Sequence, residues 1–260
     1  MMNYGTVLIV VLVLFIHLNI SFAQENPIQP DRPDQTESPY VIPHKSFQFE
    51  GGMFFEKNTQ NGQTTTNFSY PSVLLRYGLL SNLELRMEIE NIKNTTDSGG
   101  ISSSKNSVSF ATIGAKFNVC EEDGLSPAVG FIINFTIPRL TTENLETDYI
   151  GTSINLAMQN SFTDELSAGF NLGAVWAGKT PEPTFFYTLS LGYEISNRLS
   201  GFAEVFGFMP QKSVANHVFD FGLSFLAMNN LAFDASAGLG LTENSPNYFV
   251  NGGFAIRLPK

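Results

Sequence analysis

Residues Ser81–Glu90 read SNLELRMEIE, and after the turn-forming pair Ser81-Asn82 they alternate without exception. Leu83, Leu85, Met87 and Ile89 fall on one side; Glu84, Arg86, Glu88 and Glu90 fall on the other. A period of two is that of a β-strand with one apolar and one charged face. Such a strand has two homes. In a soluble sandwich the apolar face turns inward and the charges meet water. In a membrane barrel the apolar face meets lipid and the charges line a wet lumen. This strand alone favours the sandwich; the remainder of the chain favours the barrel.

The alternation recurs between repeated turns. Ser81-Asn82-Leu83, Glu122-Asp123-Gly124-Leu125, Thr163-Asp164-Glu165-Leu166, Ser196-Asn197-Arg198-Leu199 and Asn229-Asn230-Leu231 each close on a leucine, at 83, 125, 166, 199 and 231. Each interval holds two strands and a loop. With a flanking strand at each end, the pattern predicts about twelve strands, an even number as bacterial outer-membrane barrels require. The expected strands are Phe47–Lys57, Thr66–Tyr77, Leu83–Ile92, Val108–Val119, Pro127–Ile137 and Tyr149–Gln159. They continue as Leu166–Trp176, Phe185–Ile195, Leu199–Met209, Phe219–Ala227, Leu231–Leu241 and Tyr248–Leu258. Each is close to the length that a tilted strand needs to cross a bilayer. Leu199–Met209 is apolar at both parities, so its facing stays open. The opposite connections, near Asn58–Gln63, Lys93–Lys105, Pro138–Thr147, Gly178–Pro183, Pro210–His217 and Thr242–Asn247, are polar and on average longer. Short turns at one end and longer loops at the other follow the outer-membrane pattern. Tyr77, Tyr149, Trp176, Tyr193 and Tyr248 fall near the two rims, where interfacial aromatics are enriched.

The segments before the first strand differ in kind. Val7–Ile16 is an unbroken apolar run followed by Ser21-Phe22-Ala23. It is too short for a spanning helix and reads as a signal peptide over 1–23, although no Lys or Arg precedes it. Gln24–Lys45 contains five prolines, Pro27, Pro30, Pro33, Pro39 and Pro43, so an extended segment is expected. The single cysteine, Cys120, forms no internal disulfide. A net charge of −10 argues against a nucleic-acid partner.

A basic residue at mid-membrane on the lipid face costs roughly 2–4 kcal/mol. The charges of Leu83–Ile92 are therefore expected in the lumen. The expected lumen set is Glu50, Glu84, Glu88, Glu90, Glu194, Glu204, Asp220 and Asp234, with Arg76, Arg86, Lys116 and Arg257 as counter-charges. Eight acids against four bases leave a net negative lumen, suited to cations or neutral solutes. If the turn after the second strand centres on Leu80, Arg76 lies opposite Glu84. An even strand number places both termini on the periplasmic side, from which Gln24–Lys45 can fold into the lumen as a plug. Asp31, Arg32, Asp34 and Glu37 are its candidate contacts.

Asp31–Tyr40 (DRPDQTESPY), followed by Val41-Ile42-Pro43 and Phe47-Gln48-Phe49-Glu50, resembles the start of a bacterial family of outer-membrane transporters named for the MetA pathway of phenol degradation. The resemblance continues through Leu75-Arg76-Tyr77-Gly78, Leu83-Glu84-Leu85-Arg86, Gly114-Ala115-Lys116, Gly201-Phe202-Ala203-Glu204 and Gly253-Phe254-Ala255-Ile256-Arg257. It implies an outer-membrane β-barrel with a transport role, and by analogy alone small hydrophobic or aromatic solutes. The chain ends Arg257-Leu258-Pro259-Lys260, whereas many barrels end in an aromatic residue that assists assembly.

No chemistry-bearing motif competes. CxxC and HExxH spacings are absent, and His44 and His217 are the only histidines after residue 23. No catalytic residue, metal site or cofactor is expected. The expectation is an all-β, antiparallel transmembrane barrel over 46–260 in the bacterial outer membrane. Its expected partners are the lipid bilayer, the barrel-assembly machinery and a small-molecule solute. An outer-membrane lipid hydrolase using His217 and a soluble secreted β-sandwich binding module are the competing readings.

Overall fold

The computed structural model describes residues 27–136, 149–178 and 180–259, with the backbone alone at 108–111. The expected signal peptide and the expected loop Pro138–Thr147 lie outside them. Twelve strands form one closed antiparallel barrel, each paired with its sequence neighbours and β1 closing on β12. They are β1 Phe47–Gln60, β2 Gln63–Leu80, β3 Leu83–Ser98, β4 Ile101–Cys120, β5 Ala128–Thr136 and β6 Gly151–Ser161. The second half is β7 Leu166–Trp176, β8 Thr184–Ser196, β9 Leu199–Pro210, β10 Asn216–Met228, β11 Leu231–Gly240 and β12 Tyr248–Leu258. Closure pairs Phe47 with Leu258 and Lys57 with Tyr248. All twelve strands lie in one closed sheet, so the described residues hold no second sheet for its face to pack on, which rules out the sandwich.

The barrel is inverted relative to a soluble protein. Phe47, Leu85, Leu172, Phe221, Phe233 and Phe254 point outward and are exposed. Gln48, Glu50, Arg76, Glu84, Lys116, Glu204 and Asp220 point inward and are each at most 2% exposed. Strand nine acquires its facing from Glu204. Because Glu204 is inward, two-residue parity also turns Ser200, Phe202, Phe206 and Phe208 inward and Gly201, Ala203 and Val205 outward.

Two expected loops are strand instead. β1 and β2 continue to a turn at Asn61-Gly62, and β3 and β4 to one at Gly99-Gly100, with Asn61 and all three glycines in the left-handed region. β2, β3 and β4 have 18, 16 and 20 residues, against the roughly 9–11 that cross a bilayer. Their far halves stand clear of it with water on both faces. There the apolar alternation vanishes, and the sequence pattern ended the strands too early. Pairing persists through β-branched residues and polar cross-strand contacts, Thr59 with Thr64, Thr95 with Ser104, and Asn94 with Asn67.

The register between β2 and β3 also differs from expectation. Bulges lie between Ser69 and Ser72 and between Gly78 and Leu80, so Arg76 faces Arg86 and Gly78 faces Glu84. The turn is Ser81-Asn82, with Leu80 opposite Leu83, and the one-residue bulge after Gly78 leaves Arg76 two residues from the partner expected, so inward side chains still face inward ones.

Outward facing of β10 has a direct consequence for stability. Phe221→Arg places a cation near the middle of the lipid face and is expected to cost about 2–4 kcal/mol in reversible unfolding from lipid vesicles. Ser224→Arg, on the inner face of the same strand, should cost less. Equal costs would contradict the facing.

Candidate functional site

The site is built from the inner face of β1–β4 and the segment preceding β1. Arg76 on β2 grips Glu84 on β3 with two bonds, Nε to Oε1 at 2.8 Å and Nη2 to Oε2 at 2.9 Å. It also donates from Nη1 to Glu50 Oε1 on β1 at 3.0 Å. The pair expected face to face is therefore made along the diagonal, while two guanidinium groups sit directly opposite. Like charges at that spacing repel unless anions are interposed.

Asp31 is the interposed anion. Its carboxylate lies 3.2 Å from Arg76 Nη1, accepts from Arg86 Nη1 at 3.0 Å, and accepts from Lys116 Nζ at 2.7 and 2.8 Å. Glu37 joins the same cluster, bonded to Arg86 and 3.5 Å from Lys116. Burial by itself raises the Asp31 carboxyl; Arg76, Lys116 and Arg86 together outweigh it and hold Asp31 well below the usual carboxylate range.

The backbone of the same segment is satisfied by the wall. The N–H groups of Asp31, Gln35, Glu37 and Ile42 donate to Glu50, Glu204, Asn171 and Glu84 side chains at 2.8–3.0 Å. Asn171 returns a bond from Nδ2 to the Glu37 carbonyl, and Asn251 donates to the Pro33 carbonyl. Arg32 reaches the other wall, donating to Asp234 Oδ1 at 3.1 Å and Asn251 Oδ1 at 2.7 Å. Its guanidinium lies against Gly52 and Gly253. A Cβ there would stand 2.4 and 2.5 Å from Arg32 Nη2, so only glycine leaves it room.

The remaining expected lumen residues are placed unevenly. Arg257 is buried on β12. Glu88 lies on the inner face with its side chain 43% exposed, 4.0 Å from Arg86, and Glu90 is half-buried beyond it. Glu194 is exposed near the short-turn end of β8 and borders a cavity of about 630 Å³ between the segment and β7–β11. That cavity is lined by Ser167, Ser190, Ser200 and Ser224, with Asp34, Glu165 and Arg198 among its charged residues.

An aromatic cluster toward the loop end was not anticipated. Phe54, Phe206, Phe208 and Phe249 pack with Val218 on the inner face. Ring centroids are 5.3 Å apart for Phe54 and Phe249 and 6.4 Å for Phe206 and Phe249, and Phe186 joins through Phe208 at 6.1 Å. Parity counted from Glu204 would have revealed Phe206 and Phe208. His217, by contrast, is turned outward by parity from Val218, and its Nδ1 meets the Tyr187 hydroxyl at 2.9 Å. Among the described residues its ring hydrogen-bonds neither a serine hydroxyl nor a carboxylate, so the arrangement of a hydrolase triad is not formed there.

The Arg76–Glu84 pair is at most 1% exposed on both side chains. A double-mutant cycle of Arg76→Ala and Glu84→Ala should give a coupling energy of about 0.5–3 kcal/mol in unfolding free energy. Additivity within a few tenths would refute the pairing.

The pattern of the family described as "Putative MetA-pathway of phenol degradation" matches residues 30–258. Among solved structures the chain is similar to an outer membrane channel from Pseudomonas putida F1, with 13% identity, a TM-score of 0.67, and coverage of 87% of this chain and 99% of that one. It is also similar to the translocator domain of the autotransporter NalP from Neisseria meningitidis, with 12% identity, a TM-score of 0.55, and 83% and 89% coverage. The KdgM porin shows 11% identity, a TM-score of 0.52, and 81% and 98% coverage. No curated protein sequence matches. Identities this low establish the fold, that of outer-membrane β-barrels. The match over 30–258 takes in the segment carrying Asp31 together with every strand of the barrel, and the chain belongs to the family of the MetA pathway of phenol degradation.

Proposed function

We propose that this protein is a bacterial outer-membrane channel for small molecules, hydrophobic and aromatic ones among them, and that residues 24–45 act as a plug within the 46–260 barrel. A cleaved signal peptide over 1–23, insertion by the barrel-assembly machinery and residence in the lipid bilayer belong to the same reading. The observation that carries it is the fit of Asp31 between Arg76, Arg86 and Lys116. A lumen evolved only to be filled has simpler solutions in apolar side chains. An anion carried by the preceding segment, rather than by the wall, completes the wall of cations and holds that segment inside the lumen.

The lumen divides into two sectors with different chemistry. The β1–β5 side carries the ionic lattice. The β7–β12 side carries the hydroxyl-lined cavity and, toward the loop end, the rings of Phe206, Phe208 and Phe249, which Phe54 of the adjoining β1 joins. The second sector supports passage of solutes with an apolar face, because rings and hydroxyls bind them without demanding charge. The lumen acids Glu50, Glu84, Glu88, Glu90, Glu204, Asp220 and Asp234 outnumber the bases Arg76, Arg86, Lys116 and Arg257 and bias the path against anions.

Planar-bilayer conductance tests both parts. Deleting Gln24–Pro43 should raise single-channel conductance above that of the full mature chain, and reversal potentials in a salt gradient should favour cations in the full chain. Unchanged conductance would reject the plug, and anion selectivity would reject the assigned role of the lumen acids.

A further inference from the structure

The lumen holds a second group of carboxyls that the ionic lattice does not use. Glu204 on β9 and Asp220 on β10 are direct cross-strand partners, each 1% exposed. Asp34 comes from the segment to the same place, its Oδ2 accepting from Ser190 Oγ on β8 at 3.2 Å. Glu204 is satisfied by the Thr36 hydroxyl and the Gln35 N–H. Among the described residues no N–H or hydroxyl donor reaches either carboxyl oxygen of Asp220, and the group within hydrogen-bonding reach is the Glu204 carboxyl.

None of the ion pairs that Arg32, Arg76, Arg86, Lys116 and Lys212 make reaches this group. Arg32, on the same segment, is held by Asp234 on β11 and Asn251 on β12. Arg76, Arg86 and Lys116 are engaged with Asp31, Glu37, Glu50 and Glu84 on the far side. Glu165, Glu194 and Arg198 stand at the cavity, and β7 contributes the neutral Asn171 and Ser167. Among the described residues no three acidic, histidine or cysteine side chains converge as a metal site. Adjacent buried carboxylates without a cation share protons, because two like charges at contact do not both ionise. The Asp220 oxygens, which no such donor reaches, mark where a proton is needed.

We propose that Asp34, Glu204 and Asp220 form a proton-dependent latch within the plug: the segment rests against β8–β10 while the three carboxyls hold protons, and their loss drives Asp34 off the wall. The proposal rests on the plug reading. Burial, and then the neighbouring Glu204, push the Asp34 carboxyl well above its ordinary range. Docking raises the affinity of Asp34 for its proton, so the contact is fully present below the free Asp range and is lost as pH rises through the docked value. Asp31 has the opposite sign. It is docked as an anion, so its contact persists through neutral and alkaline pH and fails only in acid. One end of the plug is a fixed anchor and the other a releasable flap. The cavity of about 630 Å³ beside Asp34 gives the flap somewhere to go.

A nitroxide on Gln35→Cys, in a Cys120→Ser background and reconstituted in lipid vesicles, reads the flap directly, because the Gln35 side chain is exposed. The label should be immobile in acid and mobile in alkali, its mobile-to-immobile ratio rising by about tenfold per pH unit for each proton released. Asp34→Asn should abolish the transition and keep the label immobile, since an amide is neutral at every pH and can still accept from Ser190. Glu204→Gln should weaken it. A transition unchanged by Asp34→Asn, or a label insensitive to pH in the parent, overturns the latch. The conductance of the Gln24–Pro43 deletion is a separate readout: unchanged conductance rejects the plug, whereas the label decides the latch.

Discussion

Three cations on the inner wall set the terms for the rest of the lumen. Arg76, Arg86 and Lys116 come from β2, β3 and β4, all at most 5% exposed, and the register places two of them directly opposite. Glu50 and Glu84 supply two carboxylates from the wall, and Asp31 from the preceding segment supplies the anion that touches all three cations. Removing one member of a buried ion cluster typically costs about 3–5 kcal/mol, because the partners are left charged and dry. The wall is thus not a finished structure without the segment, unless water replaces it.

The segment is equally unfinished without the wall. Its prolines remove backbone donors and prevent it from making a ladder of its own. The donors that remain on Asp31, Gln35, Glu37 and Ile42 are spaced to meet Glu50, Glu204, Asn171 and Glu84. A proline-rich chain loses little conformational entropy on becoming extended, so few strong contacts suffice to hold it. Gly52 and Gly253 complete the fit by leaving space for the Arg32 guanidinium that a Cβ would occupy. Sequence, backbone and wall agree at each point, which is the consistency expected of a specific fit rather than a loosely packed terminus.

Much of this was legible in the sequence because the barrel obeys a period of two over most of its length. The inward placement of Glu50, Arg76, Glu84, Arg86 and Lys116 followed from the cost of exposing charge to lipid. Where both faces meet the same environment the signal disappears. The far halves of β2–β4 are wet on both sides, and their Thr, Ser and Asn residues read as loop. Strand β9 is apolar on both sides, and its inward Phe206 and Phe208 were hidden by outward Val205. The β2–β3 pairing differs by two residues for another reason: the turn is Ser81-Asn82 rather than centred on Leu80 and a one-residue bulge follows Gly78, and side-chain alternation reports neither. The diagonal grip of Arg76 on Glu84 depends on that bulge and is visible only in the folded sheet.

The two sides of the lumen differ in how their charge is balanced, and that difference assigns them different roles. On the β1–β4 side every buried cation has at least one carboxylate within 3.2 Å, so any movement there separates ions in a low-dielectric space and is strongly opposed. On the β8–β10 side Glu204 and Asp220 face each other and Asp34 without a cation, so the contact depends on protons, which exchange freely with water. The side without a cation also borders the hydroxyl-lined cavity and leads toward the ring cluster of Phe54, Phe206 and Phe249. Under the proposed latch, a path opening along β7–β12 would leave the ionic lattice intact. It also offers a passing solute hydroxyl and aromatic surface in place of fixed charge.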